Sequence, residues 1–553
     1  MAFQLSPGVA ISEVDLTTVV PSVATTVGGI AGGFAWGPVD EITIVTNENQ
    51  LAEKFGKPDA NTAETFFTAA NFLAYGSDLR VVRSVGTGAL NASSGTAAII
   101  KNRTSYENDY SANTGNTFFA KYPGDLGNSI KVSMADANTY GTWTYATNFD
   151  SAPDTSTWAS DRSSSNDEIH IVIIDTTGKI SGVTGTILEK FGYVSKASDA
   201  KNSDGSSNYY KDVLAQRSKY IWSAGHLKAN WGTASSGAVD YSLMAAPYTS
   251  TLSGGVDVTV SESDRNVSYD LFANADAVDV SLILSGPTTT GTVANHLISI
   301  AESRKDCLVF ISPYKSEVVN RISYEASGII SGSNVDYTKS SYAVMDSGWK
   351  YQYDKYRDTY VWVPLNGDIA GLCVRTDVER DPWFSPAGLQ RGVIKNVIKL
   401  AWNPTKAERD AIYKNGVNPV VTFPGEGTIL YGDKTLLNRP SAFDRINVRR
   451  LFIVLEKSIA KAARSSLFEF NDEFTRAAFV NLVEPYLRDV QGRRGIYDFK
   501  VICDTTNNTG EVIDQNQFVG DIYIKPARSI NFIQLNFVAV RTGVSFEEVV
   551  GRV

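Results

Sequence analysis

The residue composition changes abruptly at two places along the chain, and this limits how the chain can fold. Between residues 89 and 245 the sequence is dominated by Ser, Thr, Asn, Asp, Gly and Tyr, with strand-like runs but few helical patterns. On both sides of this region, apolar strand-like runs alternate with amphipathic helical runs, as in an α/β layer. The sequence therefore predicts a β-rich, barrel-like surface domain inserted into an α/β domain. The alternative, a disordered linker, is disfavoured by the strand-like runs and tyrosines.

A chain of 553 residues is too long for a single hydrophobic core. We therefore predict a multidomain protein of mixed α/β and α+β class, divided where the pattern changes. Its predicted parts are an N-terminal extended arm (1–25), a middle α/β domain (26–88 and 246–358), the inserted β-rich domain (89–245), a C-terminal α/β core domain (359–540) and a C-terminal arm (541–553).

Charge and cysteine usage narrow the class of protein. The net charge of −9 argues against a general nucleic-acid binder, which usually carries a basic excess. Cys307, Cys373 and Cys503 lie far apart in apolar runs, which favours buried free thiols and folding in a reducing cytoplasm. Glu13 and Asp15 interrupt the place where a secretion signal would need an apolar core, and no run is long enough to span a membrane.

The histidines are not arranged as metal ligands or catalytic groups. His170, His226 and His296 lie in unrelated segments without ligand spacing, so structural roles are favoured for all three. Phosphate-binding, zinc-protease and hydrolase motifs are absent from the sequence. We therefore expect no cofactor, no metal and no enzymatic activity.

Tyr360–Ile394 combines aromatic residues, prolines and short apolar runs, including Trp362 and Trp383. Aromatic anchors held by rigid turns are suited to fixing one domain or subunit against another. Within this segment, alternation predicts an extended stretch with Asp377, Glu379 and Asp381 on one side. Their basic neighbours favour ion pairs at an interface over a catalytic acid pair.

Several segments, in order, resemble the tail sheath proteins of contractile-tailed bacteriophages. They are LSPGV, GGFAWGPVDEITIVTN, FGKP, ETFFTAANFLAYGSDLRVVRSVG, KYPGDLGNSIKV, TLSGGVD, RKDCLVFISP, DPWFSPAGLQRGVI, FPGEGTILYGDKTL, INVRRLFIVLEKSI and FVAVRTGVSFEEVVG. Each segment alone is a weak signal, but their number and order across nearly the whole chain are specific. Residues 135–245 carry no such match, as expected of a variable surface domain.

The resemblance implies a structural subunit that polymerises as stacked rings around a tail tube and contracts to drive the tube through the host envelope. The implied partners are further copies of the chain, the tail tube protein, and baseplate and tail terminator proteins, without direct nucleic-acid contact or membrane insertion. The implied location is the virion, after assembly in the host bacterial cytoplasm. The alternatives are the sheath of a phage-tail-like bacteriocin or injection particle, a tail tube or baseplate protein, and a virion-associated carbohydrate-active enzyme.

The two ends of the chain are predicted to link subunits. The β-prone N-terminal arm has no evident local partner, and such an arm can add a strand to a neighbour's sheet; fraying of both ends is the alternative. The predicted inter-subunit residues of the arm are Val9, Ile11, Val14, Leu16 and Val19. The predicted receiving sheet or C-terminal arm contains Ile533, Leu535, Phe537, Phe546 and Val549.

A helix predicted over residues 443–466 places cations along one face. Arg450, Lys457, Lys461 and Arg464 follow the i, i+7, i+11, i+14 spacing. We interpret this basic stripe as a surface that faces the acidic tube or a neighbouring subunit; an ordinary solvated helix face is the alternative.

Overall fold

The computed structural model describes residue 20 and residues 23–531. The chain divides into two compact units, Met1–Phe470 and Asn471–Val553, which are described separately. Most of the predicted N-terminal arm, the Ile533–Phe537 strand and the C-terminal arm lie outside the described residues.

The first unit begins with an α/β segment. Its elements are β1 (Gly28–Gly33), β2 (Thr43–Val45), α1 (Glu48–Phe55), α2 (Ala63–Leu73) and β3 (Leu79–Ser84). Asn47 caps α1 by accepting a hydrogen bond from the Gln50 N–H, which explains where this helix begins.

The inserted region is mainly β-structure, as predicted. Its elements are α3 (Arg103–Ser105), β4 (Phe118–Ala120), β5 (Ile130–Ala135), α4 (Thr157–Ser160), β6 (Glu168–Asp175), β7 (Thr186–Ser195), α5 (Tyr210–Arg217), β8 (Ile221–Ser223) and β9 (Tyr248–Thr251). The four-stranded antiparallel sheet has the order β7-β6-β5-β9, and β4 pairs with β8. Because β7 and β9 do not pair, the described strands form open sheets, and the predicted barrel-like closure is not confirmed. Strand β9 also extends this domain beyond the predicted boundary at residue 245.

The remainder of the first unit returns to α/β structure. Its elements are α6 (Glu262–Tyr269), β10 (Leu282–Leu284), α7 (Gly291–Arg304), β11 (Leu308–Ile311), α8 (Lys315–Val318), α9 (Glu325–Ser331), α10 (Ser333–Asp336), β12 (Ala343–Asp346), β13 (Trp349–Asp354), β14 (Thr359–Pro364), α11 (Asn366–Glu379), β15 (Lys399–Leu400), α12 (Lys406–Lys414), β16 (Val417–Asn418), β17 (Val420–Phe423), β18 (Gly427–Leu430) and α13 (Ile446–Ala463).

A seven-stranded sheet forms the centre of this unit. Its order is β16-β12-β11-β10-β1-β3-β2, and every neighbouring pair is parallel except β2–β3. Alternate residues enter different cores: Ile30 and Phe310 contribute to one, and Ala31 and Val309 to the other. Helices cover both faces, which explains the uninterrupted apolar runs of β10 and β11.

The predicted domain boundary at residues 358/359 is not where the structure divides. Helix α11 shares a hydrophobic core with α2, and β16 is an edge strand of the central sheet. Residues 359–470 therefore complete the middle α/β domain, because the sheet and its covering helices need them. The compact units separate at residues 470/471 instead.

The second unit contains α14 (Glu473–Gly492), β19 (Ile496–Ile502), α15 (Gly510–Asp514) and β20 (Asp521–Pro526). Asp472 caps α14 by accepting from the Thr475 N–H, and Pro485 lies within the helix. Strands β19 and β20 form an antiparallel two-stranded sheet.

Candidate functional site

The histidines and cysteines occupy structural positions. The ring of His170 stacks on Phe149 with a centroid distance of 4.1 Å, and its Nδ1 accepts a hydrogen bond from the Tyr193 N–H. Burial lowers the pKa of His170 and lowers that of His226 to about 4. All three cysteines are buried free thiols, as predicted. Across residues 20 and 23–531, no group of three or more His, Cys, Asp or Glu side chains is placed to hold a metal ion.

No helix in the described part of the chain is both long and apolar enough to cross a membrane.

The extended stretch predicted for Asp377, Glu379 and Asp381 was wrong for the first two of these residues. Asp377 and Glu379 lie on helix α11, not on an extended stretch. The Asp377 carboxylate accepts from both terminal nitrogens of Arg450, at 2.7 and 2.6 Å. Glu379 pairs with Arg375 one helical turn earlier, at 2.7 Å. These acids therefore make ion pairs within the subunit.

The predicted basic stripe is only partly exposed. The Arg450 side chain is buried against Asp377, because α13 packs with α11, so it does not belong to a basic surface. Lys457 pairs with Asp279, and Arg464 pairs with Asp276 at 3.2 Å. Lys461 is exposed.

The predicted arm residues and the predicted receiving residues at 533–549 lie outside the described residues. A further candidate for a receiving surface is the β19–β20 sheet. In the described part of the second unit, neither strand has a further neighbour. Tyr497 and Tyr523, one on each strand, are exposed.

A second surface lies on the antiparallel sheet of order β14-β13-β15. Tyr351 and Tyr353 face outward from β13, whereas Lys350, Gln352 and Asp354 point inward and are buried. The outward residues Tyr351, Tyr353, Tyr360, Trp362 and Lys399 are called the aromatic face below.

Ring contacts join the members of the aromatic face across the strands. Tyr351 lies 5.5 Å from Tyr360 and 4.7 Å from Trp362, measured between ring centroids. The Lys399 Nζ lies 5.1 Å from the centroid of Tyr351. Trp362, which the sequence analysis singled out, is thus a partly exposed member of this aromatic cluster and also packs against the core that contains Trp349. Trp383 is instead buried.

Buried Arg83 joins the inserted domain to the central sheet. Its Nε donates to the Phe34 carbonyl at 2.8 Å, its Nη1 to that of Gly37 at 3.0 Å, and its Nη2 to that of Pro123 at 2.8 Å. Burial lowers the pKa of Arg83 to about 10, which leaves the guanidinium charged at neutral pH.

Two further segments of this junction, one containing Asp125 and the other Asp257, meet near Arg83. The Asp125 N–H donates to the Asp257 carboxylate at 3.2 Å. Burial, followed by a side-chain hydrogen bond with Asp125, raises the pKa of Asp257 to about 6, although the hydrogen bond from the Asp125 N–H acts in the opposite direction. Gly124 has a φ of +132°, which favours glycine. A Cβ at this position would lie only 2.7 Å from Asp257 Oδ1. The segments KYPGDLGN and TLSGGVD are therefore explained by packing at the junction.

Three family models match the chain. They are the phage tail sheath C-terminal domain at residues 438–539, the phage tail sheath protein central domain at 266–436, and the tail sheath protein Gp18 domain III N-terminal region at 25–83. These three models leave residues 84–265, which contain the inserted domain, uncovered.

Curated relatives match over the full length. The tail sheath protein of Enterobacteria phage T4 is 35% identical, with 99% of each chain covered. That of Vibrio phage KVP40 is 34% identical, with 99% of this chain and 100% of the relative covered.

Solved structures share the fold at low identity. The sheath tail proteins of Desulfitobacterium hafniense and Listeria innocua each give a TM-score of 0.53, at 13% and 12% identity. The matches cover 90% and 91% of this chain, and 94% and 96% of those chains. The helical sheath of the anti-feeding prophage in its contracted state gives 0.51 at 13% identity, covering 96% of this chain and 98% of its own.

The full-length identity to the phage proteins is decisive, and the shared fold agrees with it. This chain belongs to the tail sheath protein family of bacteriophages, whose members are structural components of the contractile tail of the virion.

Proposed function

We propose that this chain polymerises as stacked rings around a tail tube and that its subunits rearrange during contraction to drive the tube through the host envelope. The observation that carries the proposal is the full-length identity to phage tail sheath proteins. The fold shared with a protein described as a helical sheath in a contracted state supports it. In this proposal the energy of contraction is stored in a metastable extended lattice and no cofactor is needed.

The β19–β20 sheet is the proposed receiver of arms from neighbouring subunits. An isolated two-stranded sheet is marginally stable in water, and its outer edges can pair with further strands. We propose that the arm residues Val9–Val19 of a neighbour add a strand there and that the Ile533–Phe537 strand extends the same sheet. Backbone hydrogen bonds of this kind would keep subunits linked while their bodies rotate.

The remaining partners follow from the same proposal. The tail tube protein would line the inside of the rings, and baseplate and tail terminator proteins would contact the two ends. In the basic stripe, exposed Lys461 and Arg464, together with partly buried Lys457, remain candidates for a surface that faces the tube or a neighbouring subunit. Assembly would take place in the host cytoplasm.

A phage-tail-like injection particle is the second candidate. The fold similarity to the anti-feeding prophage sheath favours it, but at 13% identity. The 35% identity to the phage T4 protein makes a phage tail the better supported assignment.

We expect deletion of residues 1–20 to abolish polymerisation, because it removes the strand that the arm would donate. Negative-stain electron microscopy at increasing protein concentration should show tubes of stacked rings for the full chain and none for the deletion. A control chain that keeps the arm length but replaces Val9, Ile11 and Val14 by serine separates loss of strand pairing from loss of length. The serine variant should retain the melting temperature of the full chain. A full chain that stays monomeric, alone and with tube protein added, would contradict the proposed function.

A further inference from the structure

The aromatic face has the composition of an interface core. Tyr353 and Tyr360 are 47% and 51% exposed, although the Tyr360 ring lies beside the rings of both Tyr351 and Tyr353. Tyrosine and tryptophan are enriched at the centres of protein interfaces, and a clustered apolar surface of this kind marks a contact site.

The charge on this face defines the chemistry of its partner. Lys399 lies over the rings of Tyr351 and Trp362, and it makes no ion pair with any residue that the structure describes. A complementary surface would present aromatic side chains together with a carboxylate.

One exposed segment of this chain has that composition. After α13 and the turn at Arg464–Ser466, the chain continues as Leu467-Phe468-Glu469-Phe470, called the acidic aromatic segment below. Leu467, Phe468 and Phe470 are 62%, 104% and 84% exposed. Phe468 has φ of +69°, an uncommon conformation for a bulky residue, and it projects its ring into solvent.

We propose that the acidic aromatic segment of one subunit docks on the aromatic face of a second copy of this chain, with Glu469 paired to Lys399. The segment cannot cover the face of its own subunit in this structure, since Phe468 and Phe470 are both exposed. The inference rests on the self-assembly proposed above and names one of its contacts.

The two patches differ, so the contact is heterologous. After two subunits have joined, one of them still has a free acidic aromatic segment and the other still has a free aromatic face. Further subunits can therefore add at both ends to form a ring or a helical array. This is the type of contact that a polymer of rings requires, whereas an isologous contact would stop at a dimer.

A charge swap tests the pairing of Glu469 with Lys399. We expect Lys399→Glu and Glu469→Lys to raise the critical concentration for polymerisation about tenfold each, in the range of measured couplings between close charges. The double variant should return to within about twofold of the unchanged chain, since it restores an opposite-charge pair. Lys228→Glu, at an exposed lysine of the inserted domain, is the matched control and should polymerise normally.

Cysteine cross-linking tests the same contact without relying on stability. Chains carrying Tyr360→Cys are mixed with chains carrying Phe468→Cys and oxidised during polymerisation. We expect a disulfide-linked pair of the two different chains on a non-reducing gel. The native cysteines are buried and do not compete. Tyr324→Cys, at another exposed tyrosine, replaces Tyr360→Cys as the control and should give no such product.

The outcomes separate this inference from the proposed function. Normal polymerisation by both single charge variants would overturn the inference and leave the sheath function intact. Impaired single variants without rescue in the double variant would also overturn it, because another partner would then occupy the face. Failure of the unchanged chain to polymerise, even with tube protein, would instead count against the proposed function.

Discussion

Replacing Asp377 by alanine is expected to destabilise the first unit by about 3–5 kcal/mol, the cost of breaking a buried ion pair from one side. The Asp377 and Arg450 side chains are only 5% and 4% exposed, and two hydrogen bonds join them. Burial alone would lower the pKa of Arg450, but the adjacent carboxylate more than offsets this and the pKa is raised. Without Asp377, the charged guanidinium would remain buried with only the Cys373 carbonyl, at 3.4 Å, as an acceptor.

Glu379→Ala is the matched control on the same helix. The Glu379–Arg375 pair is exposed to solvent, so its loss should cost at most about 1 kcal/mol. Differential scanning calorimetry should show a markedly lower melting temperature for Asp377→Ala and almost none of this shift for Glu379→Ala. Equal shifts would show that burial does not determine the strength of these pairs. Replacing Arg450 would also break the buried ion pair from one side. A failure of Arg450 variants to assemble would therefore reflect impaired folding and not the loss of an exposed basic surface.

Helix α11 shows why part of the fold could not be predicted from sequence. Asn366–Val374 are all buried, so the segment lacks the apolar stripe by which an amphipathic helix is found. Its glycines are poor helix formers, yet the packing requires them. A Cβ at Gly367 would lie 2.3 Å from the Thr68 carbonyl oxygen, and one at Gly371 would lie 2.4 Å from the Tyr75 ring. Contact with α2 thus outweighs local helix propensity.

Hydrophobic periodicity predicted a helix correctly where one face of the helix meets solvent. It was insufficient where both faces of the helix are covered by other parts of the protein. The helix predicted over 443–466 exists as α13, and its predicted apolar face of Leu451, Leu455, Ile459 and Ala462 is buried. The same spacing assigned Arg450 to an outer basic stripe, because periodicity cannot distinguish water from a neighbouring helix that offers a carboxylate.

The candidate surfaces depend on which side chains the strand register places side by side. Tyr353 and Tyr360 become neighbours only through the register of β13 and β14. The composition of Tyr360–Ile394 indicated an interface, but it could not show which aromatic side chains remain outside. The change in composition near residue 89 marks where the chain passes from the central sheet into antiparallel strands, because loops rich in Ser and Asn separate these strands.

Arg83→Met is expected to weaken the junction between the inserted domain and the central sheet. The substitution keeps most of the side-chain volume but removes the donors to Phe34, Gly37 and Pro123. A buried acceptor left without a donor costs about 1–3 kcal/mol. Since three strong hydrogen bonds are lost together, we expect a loss of at least about 3 kcal/mol in the first unit.

The position of the lost hydrogen bonds determines what should be measured. The Arg83 guanidinium lies between the segment that follows β1 and the segment that enters the inserted domain, so amide hydrogen exchange should rise most at residues 34–37 and 121–128. Arg80→Met, three residues earlier on β3, is the control. Arg80 makes a single partly exposed ion pair with Asp78 at 3.5 Å, and its loss should leave exchange at both segments unchanged. Unchanged exchange in Arg83→Met would mean that apolar packing, including Trp36 against the core of the inserted domain, holds the junction without the arginine.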